Sequence, residues 1–283
     1  EITWSELRNK VAATAAAMRA EGVEVGDRVV AWVPNVTESV IYGLGALSIG
    51  AIVSTASPDF APHAVEDRFG QVEPKILLVA DGYQYNGKYF DCAEKSAEIE
   101  RLLPTVKKTV RVSKFDEWIK PFIGTPANYE QLPFNHPGFV LFSSGTTGKP
   151  KCITHSGAGV MLKAQAEMLY QFNISKGNKV FFFTTCGWMM WNWLIMALGR
   201  GATIVLFDGA PMAPTPTILF DIAQNEKLDF FGVSAKFIDS ANKEGLKPAK
   251  SHDLSTVKTI GSTGSVLSLS LIHISEPTRQ AEI

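Results

Sequence analysis

The chain has 283 residues, 46% of them hydrophobic, with 27 Lys and Arg against 28 Asp and Glu. Such a composition can bury a core and excludes a disordered chain, and a net charge of −1 lacks the basic footprint of a nucleic-acid binder. At roughly 100–200 residues per domain, one large or two small domains are expected.

The chain opens at Glu1 with neither Met nor a secretion signal, so a native N-terminus upstream is expected. Thr3 and Glu6 have the spacing of a capping box, Trp4, Leu7, Val11 and Met18 share one helical face, and Gly22 stands where that helix should stop. After the Gly26-Asp27 turn, the apolar run Val29 to Val33 predicts a strand broken by Pro34-Asn35. Val40, Leu44 and Leu47 then recur with helical spacing up to Gly50, and a second strand is expected near Ile52-Val53.

Further apolar runs at Lys75 to Val79, Thr109 to Val112, Phe139 to Phe142, Val180 to Thr184, Thr203 to Phe207, Leu228 to Val233 and Thr256 to Ile260 alternate with helical segments. Stacked β–α units follow, hence an α/β fold with mostly parallel sheets. Gln131 to Gly138 and Asp208 to Pro216 are Pro-containing connections, and the lysine clusters at 107–108 and 243–250 are solvated faces. Cys92, Cys152 and Cys186 have neither disulfide nor metal spacing, so they are expected as reduced, buried small residues in a cytosolic protein. No run approaches the ~20 apolar residues of a membrane span, since Trp188 to Leu198 is broken by Asn192.

The most informative segment follows the run Phe139 to Phe142. Ser143, Ser144, Gly145, Thr146, Thr147, Gly148, Lys149, Pro150 and Lys151 place four hydroxyls, two glycines and two lysines in nine residues. A polyphosphate needs donors from several directions, and glycines open the backbone N–H groups, hydroxyls add O–H donors and lysines bring charge. The loop is not a Walker A loop, which separates its glycines by four residues and follows Lys with a hydroxyl. Here two residues separate them and Pro150 follows Lys149.

At these nine residues the sequence resembles the adenylate-forming superfamily of acyl-CoA synthetases, adenylation domains and luciferases, whose phosphate loop reads SSGTTGKPK. Three further segments, Ser54 to Phe60 with Asp67-Arg68-Phe69, Thr184 to Trp193, and Ser262 to Ser265, resemble its acetoacetyl-CoA synthetase branch. Acetyl-CoA and propionyl-CoA synthetases look similar, but read GWVTG where this chain has Gly187-Trp188-Met189-Met190-Trp191.

The resemblance implies a partial large N-terminal domain of the adenylate-forming fold over residues 1–268, with helices packed on both faces of mostly parallel sheets and the C-terminal domain absent. Residues 269–283 are expected to be an artefactual tail outside the family pattern, because Leu269 to Arg279 resembles a translated sequencing adapter. The implied enzyme is an acetoacetate ligase using ATP, Mg2+ and CoA through an acyl-adenylate. Small-molecule substrates are expected, with neither nucleic acid nor membrane as partner, and the fragment by itself is expected to be inactive. A ligase for acetate or propionate, or an inactive nucleotide-binding fragment, are the alternatives.

By position, the resemblance assigns Ser143, Ser144, Gly145, Thr146, Thr147, Gly148, Lys149 and Lys151 to the phosphates, with Lys149 catalytic. Thr263, Gly264 and Ser265 fall beside adenine and acyl group, and Trp188, Met189 and Met190 at the acyl pocket. No metal ligand is assigned, because the family's Mg2+ carboxylate lies further on. Trp191 and Trp193 are expected in the core, His155 as structural, and Asp208 to Pro211 as a structural loop; Lys236 stands where many relatives have Pro.

Overall fold

The structure, a computed structural model, describes residues 1–143 and 148–267. In chain order, α1 (Trp4–Ala20), β1 (Arg28–Trp32), α2 (Thr37–Ser48), β2 (Ile52–Ala56), α3 (Pro62–Phe69) and β3 (Ile76–Val79) form the first units. A hairpin of β4 (Gly82–Tyr85) and β5 (Lys88–Asp91) leads to α4 (Ala93–Leu102), β6 (Lys108–Arg111), α5 (Phe115–Ile119), β7 (Pro137–Phe142), β8 (Cys152–Ser156) and α6 (Gly157–Tyr170). The remainder runs β9 (Lys179–Phe182), α7 (Met189–Met196), β10 (Thr203–Val205), α8 (Ile218–Glu226), β11 (Phe230–Ser234), α9 (Ala235–Lys243), α10 (Pro248–Ser251) and β12 (Thr259–Thr263).

Helix α1 starts as its sequence dictates. The Thr3 side chain accepts from the Glu6 N–H while the Glu6 carboxylate accepts from the Thr3 N–H at 2.7 Å, and Gly22 takes φ +80° just past the last turn.

One sheet has the order β6-β3-β1-β2-β7-β8, parallel except for the β7–β8 pair, and the other has the order β10-β9-β11-β12, parallel throughout. Because side chains alternate across a strand, Val29 and Ala31 of β1 pack with Ala17, Met18 and Tyr42 of α1 and α2. Val30 and Trp32 pack on the other face with Val65, Phe69 and Ile99 of α3 and α4. The second sheet divides likewise: Val180, Phe182 and Phe230 join the first core, while Phe181 and Phe231 meet Leu219, Phe220 and Phe237 of α8 and α9. One apolar core therefore continues between the two sheets, closed by Trp191, Trp193 and Leu194 of α7.

Three local features differ from the sequence expectations. The segment Lys151 to Gly157 does not run directly into a helix: Cys152–Ser156 first forms β8, antiparallel to β7. That strand has no apolar run and is largely exposed, so its pairing comes from its register against β7. For the same reason Cys152 is exposed, whereas Cys92 and Cys186 are buried. The hairpin β4–β5 was also unforeseen, although Asn86-Gly87, with φ +51° and +72°, is a strong two-residue turn signal. Residues 268–283, including the adapter-like stretch, lie outside the described residues.

Candidate active site

In open α/β sheets, ligands bind beyond the carboxyl ends of the strands. The phosphate-loop candidate lies between the carboxyl end of β7 and the start of β8, strands that pair antiparallel with Phe142 opposite Cys152 and Phe139 opposite His155. Its neck is closed by Ser143, whose N–H donates to the Lys151 carbonyl at 3.0 Å and whose hydroxyl accepts from the Lys151 N–H at 3.3 Å. Ser144, Gly145, Thr146 and Thr147 lie outside the described residues. Gly148 has φ +102°, a conformation that L side chains rarely adopt.

The downstream half of the loop is tied to the end of α3. Lys149 Nζ lies 3.3 Å from Asp67 Oδ1, and Gln71 Nε2 donates to the Pro150 carbonyl at 2.8 Å. The Lys149 side chain is 72% exposed, so this ion pair is a weak, exchangeable contact that an incoming phosphate can replace. Lys151 is exposed beside it. Sequence reasoning missed both tethers, although Asp67 fell in a quoted segment; residues 67 and 71 are one helical turn apart.

Three segments far apart in sequence meet around the start of α7. The Thr55 hydroxyl donates to the Cys186 carbonyl at 2.5 Å, and the Cys186 thiol donates to the Pro34 carbonyl at 3.3 Å. Burial pushes the Cys186 thiol up, so it stays protonated and serves as a donor. Asn35 uses both ends of its amide, donating to the Thr184 carbonyl at 3.4 Å and accepting from the Trp191 indole N–H at 3.1 Å. Gly187 lets the chain pass closely here, since a Cβ would come within 3.2 Å of the Phe60 ring and 3.3 Å of the Ser57 nitrogen. These contacts fix where α7 begins.

A cavity of about 660 Å³ opens between the sheets. Leu141 of β7, His155 of β8, Met189 and Met190 of α7, and Ile260 to Thr263 of β12 are among its lining residues. It therefore brings Met189, Met190 and Thr263 together beside β7 and β8, the strands that flank the phosphate loop. Gly264, with φ +91°, and Ser265 follow β12 and are exposed. Trp188 departs from the expected pocket wall: it precedes the first turn of α7 with extended backbone, is 67% exposed and is not among the cavity's lining residues. Trp191 and Trp193 are buried as expected. His155 is exposed at the cavity. Sequence reasoning assigned no site role to Asn192, Phe172 or Ser262, which also line it.

The loop beginning at Asp208 is tied to the β4–β5 hairpin, its carboxylate accepting from the Gln84 N–H at 2.9 Å. Burial pushes the Asp208 carboxyl up, against the lowering effect of that bond. Among the described residues, no three His, Cys, Asp or Glu side chains come together as a metal site, and no helix is long and apolar enough to cross a membrane.

The model of the AMP-binding enzyme family matches residues 1–278. The acetoacetyl-coenzyme A synthetase of Rhizobium meliloti (strain 1021) is 45% identical over 94% of this chain, and the acetoacetyl-CoA synthetase of Gallus gallus 41% over the same share. This chain spans 43% of the length of each. The acetoacetyl-CoA synthetase structure from Streptomyces lividans superposes with a TM-score of 0.92 at 36% identity, covering 99% of this chain and 45% of that one. The anthranilate CoA ligase AuaEII, determined with anthranoyl-AMP, shares the fold with a TM-score of 0.84 at 22% identity, over 98% of this chain and 52% of its own.

Proposed function

The chain belongs to the AMP-binding enzyme family, and we propose that it carries the phosphate-gripping and acid-binding parts of an ATP-dependent acid–CoA ligase whose acid is acetoacetate. The observation that carries this reading is that β7 and β8, the strands flanking the SSGTTGKPK segment, line with Leu141 and His155 a largely apolar cavity that Met189, Met190 and Thr263 also line. In the first step a carboxylate oxygen of the acid attacks the α-phosphorus of ATP and pyrophosphate leaves. In the second, the sulfur of CoA attacks the acyl carbon and AMP leaves. Neither step needs a covalent intermediate on this chain, so its residues contribute position and charge.

Lys149 and Lys151 offset the charge that moves onto pyrophosphate, and Lys149 exchanges Asp67 for a phosphate oxygen as ATP arrives. Gly148 and the backbone around it supply N–H donors from a conformation open to them. Met189 and Met190 shape an apolar wall for a short acid, and their flexible thioethers allow a close fit. Thr263, Gly264 and Ser265 form the edge between acid and nucleotide. Mg2+ would accompany ATP as a counter-charge on the phosphates, and among the described residues no three His, Cys, Asp or Glu side chains gather around a common point.

Hydrogen exchange of this chain with and without MgATP tests the reading. Slowed exchange at residues 143–151 on adding MgATP, and at 189–193 and 260–265 on adding acetoacetate, is expected. Unchanged exchange at 143–151 would remove the loop from nucleotide binding.

A further inference from the structure

Of the polar residues that line the cavity, Asn192 is the one that is buried, at 7% exposure. It lies on α7 one turn beyond Met189 and so shares that residue's face of the helix. His155, Lys163, Ser262 and Thr263 are exposed at the cavity's margins, and Lys163 and Glu167 pair with each other. Among the described residues, none of the side-chain hydrogen bonds involves Asn192. The contrast with Asn35 is sharp, because Asn35 satisfies both ends of its amide within the protein. Nor is the Asn192 amide among the polar atoms sealed away without a partner, so its hydrogen-bonding capacity is open to what enters the cavity that the residue lines. Around it the lining is apolar, with Phe139, Leu141, Met190, Trp193 and Phe230.

We propose that Asn192 is a specificity-determining residue that donates an amide N–H to the 3-oxo oxygen of the acid, so that the site selects short 3-oxo carboxylates over saturated acids of the same length. This rests on the cavity being the acid site of a ligase. The chemistry has one sense only: a ketone oxygen accepts and never donates, so the amide turns its Nδ2 toward it. A saturated chain would cover the amide with methylene and leave it unpaired, and a site built around a hydrogen bond discriminates strongly against a ligand that lacks its half.

The test uses acetoacetate and butyrate, which differ at C3 alone. Affinities of the 283-residue chain for each acid are measured by ligand-observed NMR, for the wild type and for Asn192→Leu, which keeps the volume and removes the amide. The wild type is expected to bind acetoacetate on the order of tenfold more tightly than butyrate, and Asn192→Leu to bind the two alike. The thermal midpoint of the unliganded Asn192→Leu protein is expected to stay close to that of the wild type, since no hydrogen bond among the described residues is lost; a cooperative transition shows that the variant folds. If Asn192→Leu does not fold, Asn192→Ser replaces it, with the same loss of preference expected.

An acetoacetate preference that survives the substitution overturns the proposal. So does a lowered midpoint together with unchanged selectivity, which would make Asn192 a structural residue. If neither acid binds while MgATP still does, this inference falls and the phosphate-loop reading stands. If MgATP also fails to bind, the ligase reading falls with it.

Discussion

Replacing Lys149 with Ala separates a phosphate ligand from a structural residue. The side chain is 72% exposed, and its one ion-pair partner among the described residues is Asp67 Oδ1 at 3.3 Å. An exposed pair of this kind contributes about 0–1 kcal/mol, so the variant should unfold within about 0.5 kcal/mol of the wild type. A charge-assisted hydrogen bond to phosphate is worth about 1.5–3 kcal/mol, which corresponds to a loss of roughly 10- to 150-fold in MgATP affinity. Urea unfolding and nucleotide titration of the same two samples give both numbers. Asp67→Asn is the companion variant: it frees Lys149 from a competing carboxylate, and MgATP affinity should rise by up to about fivefold or stay level. Wild-type MgATP affinity in Lys149→Ala would refute the assignment, as would a fold that collapses on losing so exposed a side chain.

Trp191→Phe removes the indole N–H that Asn35 accepts, leaving a buried acceptor unpaired; a loss of about 1–3 kcal/mol in urea unfolding is expected. Met189→Val with Met190→Thr should shift relative affinity from acetoacetate toward acetate by roughly 10- to 200-fold, without an absolute switch, as competition binding of the two acids would read. Asp208 gives a pH signature. Its carboxyl is pushed above 3.8 by burial, so the folded state holds the proton longer than the unfolded state, and stability falls as pH rises from 3.8 through the folded value. Asp208→Asn should therefore be more stable than the wild type at pH 7 and lose that advantage below 3.8, as unfolding at a series of pH values would show.

Much of the scaffold was legible because local and tertiary preferences agree. Thr3 and Glu6 specify the start of α1 by reciprocal bonds that need no distant partner, and the buried runs of β1, β3 and β11 are apolar because both faces of their sheets are covered. Strand β8 was illegible: Cys152 to Ser156 is polar and exposed, and only its register against β7 makes it a strand. Turn chemistry alone announces β4–β5, through Asn86-Gly87.

The candidate site divides the same way. Nine residues in one loop carry their chemistry in their composition, whereas the cavity is assembled from β7, β8, α6, α7 and β12, and no single segment reveals which side chains face it. Trp188 illustrates the limit. Its place in a family segment suggested a pocket wall, but a shift of one position relative to the start of α7 turns it outward and leaves Met189 at the cavity. Asn192 was visible as a lone polar residue within an apolar run, but only the structure shows that it is buried and lines the cavity.

We propose that this chain positions ATP and a short 3-oxo acid for adenylation. Exchange of labelled pyrophosphate into ATP, measured on this chain within a protein of the relatives' full length, tests it most directly. Exchange should depend on added acid, run faster with acetoacetate than with acetate or propionate at equal concentration, and fall roughly 10- to 150-fold in Lys149→Ala. Exchange that is indifferent to the acid, or unaffected by Lys149→Ala, would contradict the account.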